Sequence, residues 1–500
     1  MAILDDYDTA AQQVERLRTR ALVGDLPAYR EAIHAFYRLL MAFSAAEPMV
    51  TVGPSSLALD RARGDVDQLQ TFLADAARNP FLEFYECRVD DLRPPRHFGI
   101  SIIGDEQLAP GLTLGRVLKQ RFPDTPVLIG GSVFSRLADQ GADLDGFFGT
   151  CFDYICRGEG EAPLAQFLAS DDPRRDQTPN LVFVDDTGTQ RSTPSGPSVA
   201  VNNLPSPDFT GLPLDRYLSP ELILPTLSTR GCYWGRCAFC HHGMIYGRGC
   251  KVRKPELVAR DIEQMRAAHG VSHFAFNDEA LPPKIIRSLP AHLRDGDQAF
   301  TALLRFEGGF RASDFDGLAE AGCRSIYFGM ESASARTLDA MHKGSTPEVI
   351  DANLRWSAEA GIWNHCFNFF GFPGESETDA EETMDFLLHR TDVVHSEGTG
   401  TFALEHNADV HRRPEAYGIK AVHPKDEAVF NLYYDYETTD GLSAEQAQEM
   451  TRKFDQRKCE AGAFLDGRWI PREHLLLFLA ASGRDHFRKD IADVEERLAT

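Results

Sequence analysis

Apolar and polar positions repeat along this chain with two periods, and the points where the period changes mark its elements. From about Asp8 to Phe43 apolar residues recur at helical spacing, as in "YREAIHAFYRLLMAF", which predicts an opening pair of amphipathic helices. A compact apolar run at Phe98–Ile103, the helical stretch "PGLTLGRVLKQRF" and a second apolar run at Val127–Gly131 then read as strand, helix, strand. That order is a parallel βαβ unit. A third step follows in "FDYICRGEGE", so Gly130, Gly131 and Gly158 fall at the carboxyl ends of predicted strands. An open α/β sheet binds its ligand at that edge.

The stretch Pro173–Pro213 is rich in Pro, Asp, Thr and Ser, holds one hairpin-like segment, "NLVFVDDTGTQRS", and reads as a connector. Between Ile223 and Phe402 six strand-like runs alternate with helical patterns: "LILPTLST", "HFAFND", "AFTALLRFE", "SIYFGMES", "HCFNFFGFPGE" and "GTGTFALE". Repeated βα steps in one direction predict a barrel or partial barrel, with its chemistry where the strands end. Amphipathic stretches near Ser443–Cys459 and His474–Thr500 predict a helical ending. The expected fold class is therefore α/β. A helical region at 1–88 precedes a Rossmann-like (flavodoxin-like) parallel sheet at 89–172, and a linker at 173–222 leads to a partial (β/α)6 TIM-type barrel at 223–402. A helical region at 403–500, including Phe402–Ile419 at its start, is expected to cap the barrel and meet the substrate.

Composition narrows the function classes. With 75 acidic and 52 basic residues the 500-residue chain carries a net charge of −23, which disfavours nucleic acid as a partner. No apolar run approaches the ~20 residues of a membrane span, and the amino terminus lacks the basic-then-apolar order of a signal peptide. A cytoplasmic protein with no membrane partner is expected. Ten cysteines are too few for a disulfide scaffold, and most stand singly.

The exception is "RGCYWGRCAFCHHG", Arg230–Gly243, which places Cys232, Cys237 and Cys240 on one short loop after a strand. Soft thiolates select iron-sulfur or zinc. Three of them can ligate three irons of a [4Fe-4S] cluster and leave the fourth iron open to a substrate or cofactor. The same three with His241 or His242 can also complete a tetrahedral zinc knuckle. On these residues alone both readings stand, and Cys250, His241 and His242 have no assigned role. Tyr233 and Trp234 are expected to pack the loop and shield it from solvent. Arg305, ending "LLRFE", can bind a carboxylate or pair with Glu307.

The loop, opening a run of βα units, resembles that of the radical S-adenosylmethionine (SAM) superfamily, which most often reads Cys-x3-Cys-x2-Cys with an aromatic residue before the last cysteine. Here that residue is Phe239, and the first spacing is one residue longer. The resemblance extends to later strand ends. It implies that Asn277, Asp278 and Glu279 in "FAFNDEA" hold the methionyl amino group of the cofactor. It likewise implies that Glu331 and Ser332 in "YFGMESAS", followed by "LDAMHKG", meet its ribose or methionyl group. Gly371 and Pro373 in "FFGFPGES" would lie near its adenine, and Arg305 is a further cofactor or substrate contact. The family's chemistry is one-electron cleavage of the sulfonium to a 5′-deoxyadenosyl radical, fed by an external one-electron reductant and shielded by the barrel.

Residues from about Val89 to Ser170 are similar to the cobalamin-binding domain of one branch of that superfamily. Members of the branch methylate unactivated carbon or phosphorus, some of them on peptides. The resemblance places the corrin at Gly104, Gln107 and Leu108, at Gly130, Gly131 and Ser132, and at Gly158, Glu159 and Gly160. It implies a cobalamin-dependent methyltransferase acting on an unactivated carbon of a small metabolite or peptide. The other readings are a radical epimerase, cyclase or rearrangement enzyme with a vestigial cobalamin domain, and a zinc-binding scaffold of a different class.

Overall fold

In a computed structural model of the chain, which describes residues 7–47, 50–53, 56–59, 66–169, 177–241, 249–293, 296–425, 430, 432–464 and 467–499, the apolar runs become two parallel sheets. After a hairpin of β1 (Val50–Val52) and β2 (Leu57–Leu59), the first sheet takes β3 (Phe98–Ser101), β4 (Val127–Gly130) and β5 (Tyr154–Cys156) in sequential order, all parallel. Crossover helices Leu108–Arg121 and Ser132–Gln140 bury Leu112, Val117, Phe134 and Leu137 against Val127 and Ile129. Helices Val66–Ala74 and Pro80–Val89 join that core through Leu69, Phe72 and Leu82. The hairpin assigned to the connector, β6 (Leu181–Val184) and β7 (Gln190–Ser192), instead extends this sheet antiparallel to β5. Its residues Leu181–Phe183 are buried, so the apolar half of "NLVFV" belongs to the core.

The second sheet holds β8 (Ile223–Thr226), β11 (His273–Phe276), β12 (Ala299–Leu304), β13 (Cys323–Glu331), β14 (Trp363–Phe370) and β15 (Ser396–Thr401), neighbours in that order and all parallel. Alternation along the strands divides its two faces. Phe274, Phe276, Phe300, Ala302, Ile326, Phe328, Cys366 and Phe370 pack outward into one core with helices such as Pro255–His269, Ala312–Glu320 and Pro347–Glu359. Ala275, Leu303, Gly329 and Phe367 line the other face and stay half-buried. Since β8 and β15 end the sheet among the described residues, this face is an open trough.

To the helices expected after residue 403 the structure adds a three-stranded antiparallel sheet of β16 (Leu404–Glu405), β17 (Ile419–Pro424) and β18 (Tyr433–Thr438). Helix Arg472–Ser482 lies against the barrel strands, where the Tyr327 hydroxyl donates to the Arg472 carbonyl at 3.1 Å. The amino-terminal helix Leu26–Ala46 packs on that helix through Tyr29, whose ring centroid is 4.8 Å from that of Phe478. The two ends of the chain therefore share one apolar cluster.

Helix Ala444–Ala461 covers β14 and β15, and its Lys458 meets Glu397 of β15 at 2.6 Å with both side chains about 95% buried. Removing one partner of a buried pair strands the other charge, whereas removing both does not. Lys458→Met is expected to lower stability by about 3–5 kcal/mol and the double variant E397L/K458M to recover most of it, measured by chemical denaturation.

Candidate functional site

The cysteine loop is closed at its base by a two-residue ribbon. β9 (Thr229–Arg230) pairs antiparallel with β10 (Lys251–Val252), setting Lys251 opposite Arg230. Gly231 follows with φ +80°, and a Cβ there would stand 2.6 Å from the Gly249 carbonyl, so only glycine lets the loop's two ends pass this closely. Cys232, Cys237 and Cys240 lie on the loop as half-buried thiols, and no disulfide joins the ten cysteines. His242 lies outside the described residues.

The loop is pinned from above. Ala238 N–H donates to the Met341 carbonyl (2.9 Å), Val410 N–H to the Ala238 carbonyl (3.0 Å) and His241 N–H to Glu405 (3.2 Å). Trp234 donates to the His342 carbonyl and lies where any Cβ on Gly344 would reach it. Among the described residues no three His, Cys, Asp or Glu side chains converge on a point where one ion could sit. Thiolates that each take a different iron of a cubane are spread around it, whereas a zinc knuckle gathers its ligands on a single ion.

Charged side chains crowd the inner side of the loop. Arg305 is 4% exposed, with its guanidinium 3.6 Å from the Cys237 sulfur, 4.4 Å from the Trp234 ring centroid and bonded to Glu307 (3.2 Å) and the Lys343 carbonyl (2.5 Å). Tyr233 donates to Glu307 at 2.8 Å. Lys343 Nζ donates to Glu331 at 2.7 Å and stands 5.8 Å from the centroid of Phe239. Burial pushes the Cys237 thiol up, while Lys343 and Arg305 pull it down. Glu331 itself sits at φ +67°, beside an irregularity in the β13–β14 register, a strained conformation for a residue with a side chain. Sequence reasoning missed Lys343, although the "LDAMHKG" segment that carries it had drawn notice as a whole.

Other expected contacts are placed differently. Asp278 is 1% exposed and accepts from Ser228 N–H (3.0 Å), Ser228 Oγ (2.9 Å) and Thr229 Oγ1 (2.5 Å), so it braces the start of the cysteine loop from beneath. Burial pushes its acid up to about 6 against those hydrogen bonds. Asn277 is exposed at the end of β11, with Glu279 half-buried just beyond it. Ser332 is fully buried, sharing its hydroxyl with Thr383 and the Ser334 N–H. It faces the fold interior, on the side of Thr383.

Gly371, at φ +90°, abuts helix Ala444–Ala461, where a Cβ would stand 2.5 Å from that of Ala447, and Pro373 is buried beside it. The turn is tied to the added sheet by Tyr436, whose hydroxyl donates to the Gly371 carbonyl at 3.2 Å. Phe239 meets Phe369 with centroids 5.3 Å apart.

In the first sheet the strand ends share one edge. Gln107 accepts from the N–H groups of Ile103 (2.9 Å) and Gly104 (3.4 Å), just before Leu108 opens its helix. Ser132 donates to the Ile103 carbonyl (2.7 Å), and Gly158 N–H donates to Ser135 (2.8 Å). Gly130 ends β4 and Gly160 follows β5, both half-buried. Gly131, at φ +96°, leaves no room for a Cβ, which would stand 2.2 Å from the Ile102 carbonyl oxygen. Beyond β3 Ile103 is 68% exposed. Glu159 points across to the cysteine loop, accepting from Arg230 (3.1 Å), Lys251 (2.7 Å), Ser198 (2.9 Å) and Val199 N–H (3.0 Å). Burial alone would raise its carboxyl, but those bonds hold it at about 2. A second tie joins Arg136 of the first sheet's helix to Glu405 of β16 at 3.2 Å.

Glu375, 1% exposed, receives the Gly371 N–H at 2.5 Å, and burial pushes its carboxyl up to about 8 from 4.5. A folded value above the unfolded one means that its share of stability is complete below about 4.5 and is lost as pH rises through about 8. Melting temperature is therefore expected to fall over that interval. Glu375→Gln should flatten the decline.

Residues 226–387 match the family model of the radical SAM superfamily. An uncharacterised methyltransferase of Pyrococcus horikoshii is 28% identical over 245 residues, covering 47% of this chain and 52% of that protein. The chain thus spans about half the length of that curated relative. Among solved structures, the radical SAM methyltransferase TsrM from Kitasatospora setae, with cobalamin and a [4Fe-4S] cluster bound, superposes with a TM-score of 0.55 at 19% identity over 69% of this chain and 71% of its own. The cobalamin-dependent SAM radical enzyme OxsB, with aqua-cobalamin and SAM bound, gives 0.56 at 16% identity over 85% and 72%. Both share the fold.

Proposed function

We infer, from the radical SAM domain that this chain carries at residues 226–387, that it is a radical SAM enzyme and a cobalamin-dependent methyltransferase. The observation that carries the reading is the meeting of two edges: the three-cysteine loop of the barrel faces the glycine-bearing strand ends of a second parallel sheet, joined through Glu159. When bound, a [4Fe-4S] cluster and SAM supply a one-electron route to a carbon radical, and cobalamin supplies a methyl carrier.

The residues present fit these groups. Cys232, Cys237 and Cys240 offer three free, half-buried thiols on one loop, the soft donors that an iron-sulfur cluster takes. Lys343, Glu331 and Arg305 place both signs of charge beside Cys237, matching a zwitterionic amino acid attached to a sulfonium. Gly329 keeps the trough clear next to them, since a Cβ there would stand 2.7 Å from Glu331 and 3.2 Å from Lys343. Tyr233, Trp234 and Phe239 screen the loop from water. At the facing edge, exposed Ile103 and the close turn at Gly131 suit a flat macrocycle laid across the strand ends. The substrate, a small metabolite or peptide, enters the half-open trough, and the electron comes from an external donor. No helix among the described residues is long and apolar enough to cross a membrane.

A second reading, a radical epimerase, cyclase or rearrangement enzyme with a vestigial corrinoid edge, is favoured by one observation. Gln107, Ser132 and Glu159 already spend their polar atoms within the fold. Anaerobic reconstitution separates the readings. About four irons and four sulfides per chain are expected, with bound corrinoid and S-adenosylhomocysteine release for methylation, or 5′-deoxyadenosine alone for the second reading. Alanine at Cys232, Cys237 or Cys240 should drop iron to background and abolish SAM cleavage. A preparation that holds only tetrahedral zinc would overturn both.

A further inference from the structure

The ribbon that closes the cysteine loop has an electrostatic fault. Its two strands set Arg230 directly opposite Lys251, and like charges facing each other across a ribbon push it apart. With only two residue pairs, β9–β10 has little backbone bonding to resist. A counter-charge offsets that repulsion. It comes from the other sheet, at the loop after β5, where Glu159 bonds Arg230 through one oxygen and Lys251 through the other, with its side chain 9% exposed. Glu161 adds a second contact to Arg230. The same Glu159 oxygen that takes Lys251 also takes the Ser198 hydroxyl and the Val199 N–H, fixing the strap between the two sheets. That strap is bolted to the barrel by buried Arg253, which donates to the carbonyls of Val201 and Leu204 and pairs with Asp261 at 2.7 Å.

We propose that Glu159 is a positioning residue for the cysteine loop: the first sheet lends the barrel a carboxylate that bridges both cations at the loop's base, so the hold on a metal cluster depends on that sheet's placement. The proposal rests on the radical SAM reading for the cluster, but the closure of the ribbon does not. It gives Glu159 a role different from corrin contact. The buried carboxylate between two cations is the geometry that carries it.

The test compares the parent with Glu159→Gln, Glu159→Ala and Glu159→Asp in the full chain. In cluster-free protein, hydrogen exchange at the amides of residues 229–230 and 251–252 is expected to speed up in E159A and E159Q by more than at the amides of the barrel strands, with far-ultraviolet circular dichroism little changed. After anaerobic reconstitution, release of iron to a ferrous chelator is expected to be about 10–100-fold faster in both, the usual scale for losing a group that orients metal ligands. E159D should recover part of each effect. Adding Lys251→Gln to E159A, which removes one of the two opposed cations, should slow iron release again; a merely structural role for Glu159 would not produce that rescue. Parent-like exchange and parent-like iron release in E159Q would overturn the proposal. Should E159A fail to fold, E159Q, which keeps shape while losing the charge and one acceptor oxygen, decides the question. If the parent itself assembles no iron-sulfur cluster, the functional reading fails, while the exchange measurement still judges Glu159.

Discussion

Everything at this site depends on how the described part of the cysteine loop, residues 231–241 and 249–250, with its three half-buried thiols, is held in place. Loop closure is entropically costly, and a two-pair ribbon cannot meet that cost alone. The structure meets it with buried polar anchors drawn from three directions. Asp278 braces Ser228 and Thr229 from below, Glu159 bridges Arg230 and Lys251 from the side, and Met341, His342 and Glu405 take bonds from above. Asp278, Glu159 and Glu405 are low-exposure carboxylates bonded to the loop, which makes them effective at fixing a backbone.

That division explains why several strand-end residues do not face the trough. A barrel strand presents its last side chains in alternation, one toward the ligand and the next toward the covering helices. Asp278 and Ser332 fall on the covered side of this alternation and carry load, while Asn277 and Glu331 fall on the open side. The strained backbone at Glu331 is what swings its carboxylate toward Lys343 rather than leaving it in register with the strand. Backbone strain of this kind persists where surrounding contacts over-determine it, and Lys343, buried and paired, is such a contact.

Much of this was legible from patterns of a dozen residues. The apolar runs of two sheets, the crossover helices and the three cysteines stand out because periodicity and soft-ligand spacing are local properties. What the pattern could not reveal is non-local. The hairpin at Leu181–Ser192 looks like a connector because its second strand, β7, is polar and exposed, and its place on the first sheet is decided by β5, a separate segment of chain. The strands β16 to β18 are short, mixed in polarity and interrupted by the turn at Gly418, so nothing in their spacing distinguishes them from a polar loop. Lys343 and Glu159 are single charged residues, and their oppositely charged partners lie 12 and 71 or more positions away.

The distribution of these anchors also says why the two sheets travel together in one chain. A barrel that keeps its trough open between β8 and β15 exposes the very edge where a reactive intermediate would need shelter. The added sheet closes part of that edge, packing Leu404, Val410 and Ile419 onto Ala238 and Met341 beside the cysteines. It is itself moored to the first sheet by Arg136 and Glu405. Thus the first sheet touches the loop directly through Glu159 and indirectly through the cap, two ties on opposite sides of the same sulfurs. A shift of the first sheet would load both ties at once.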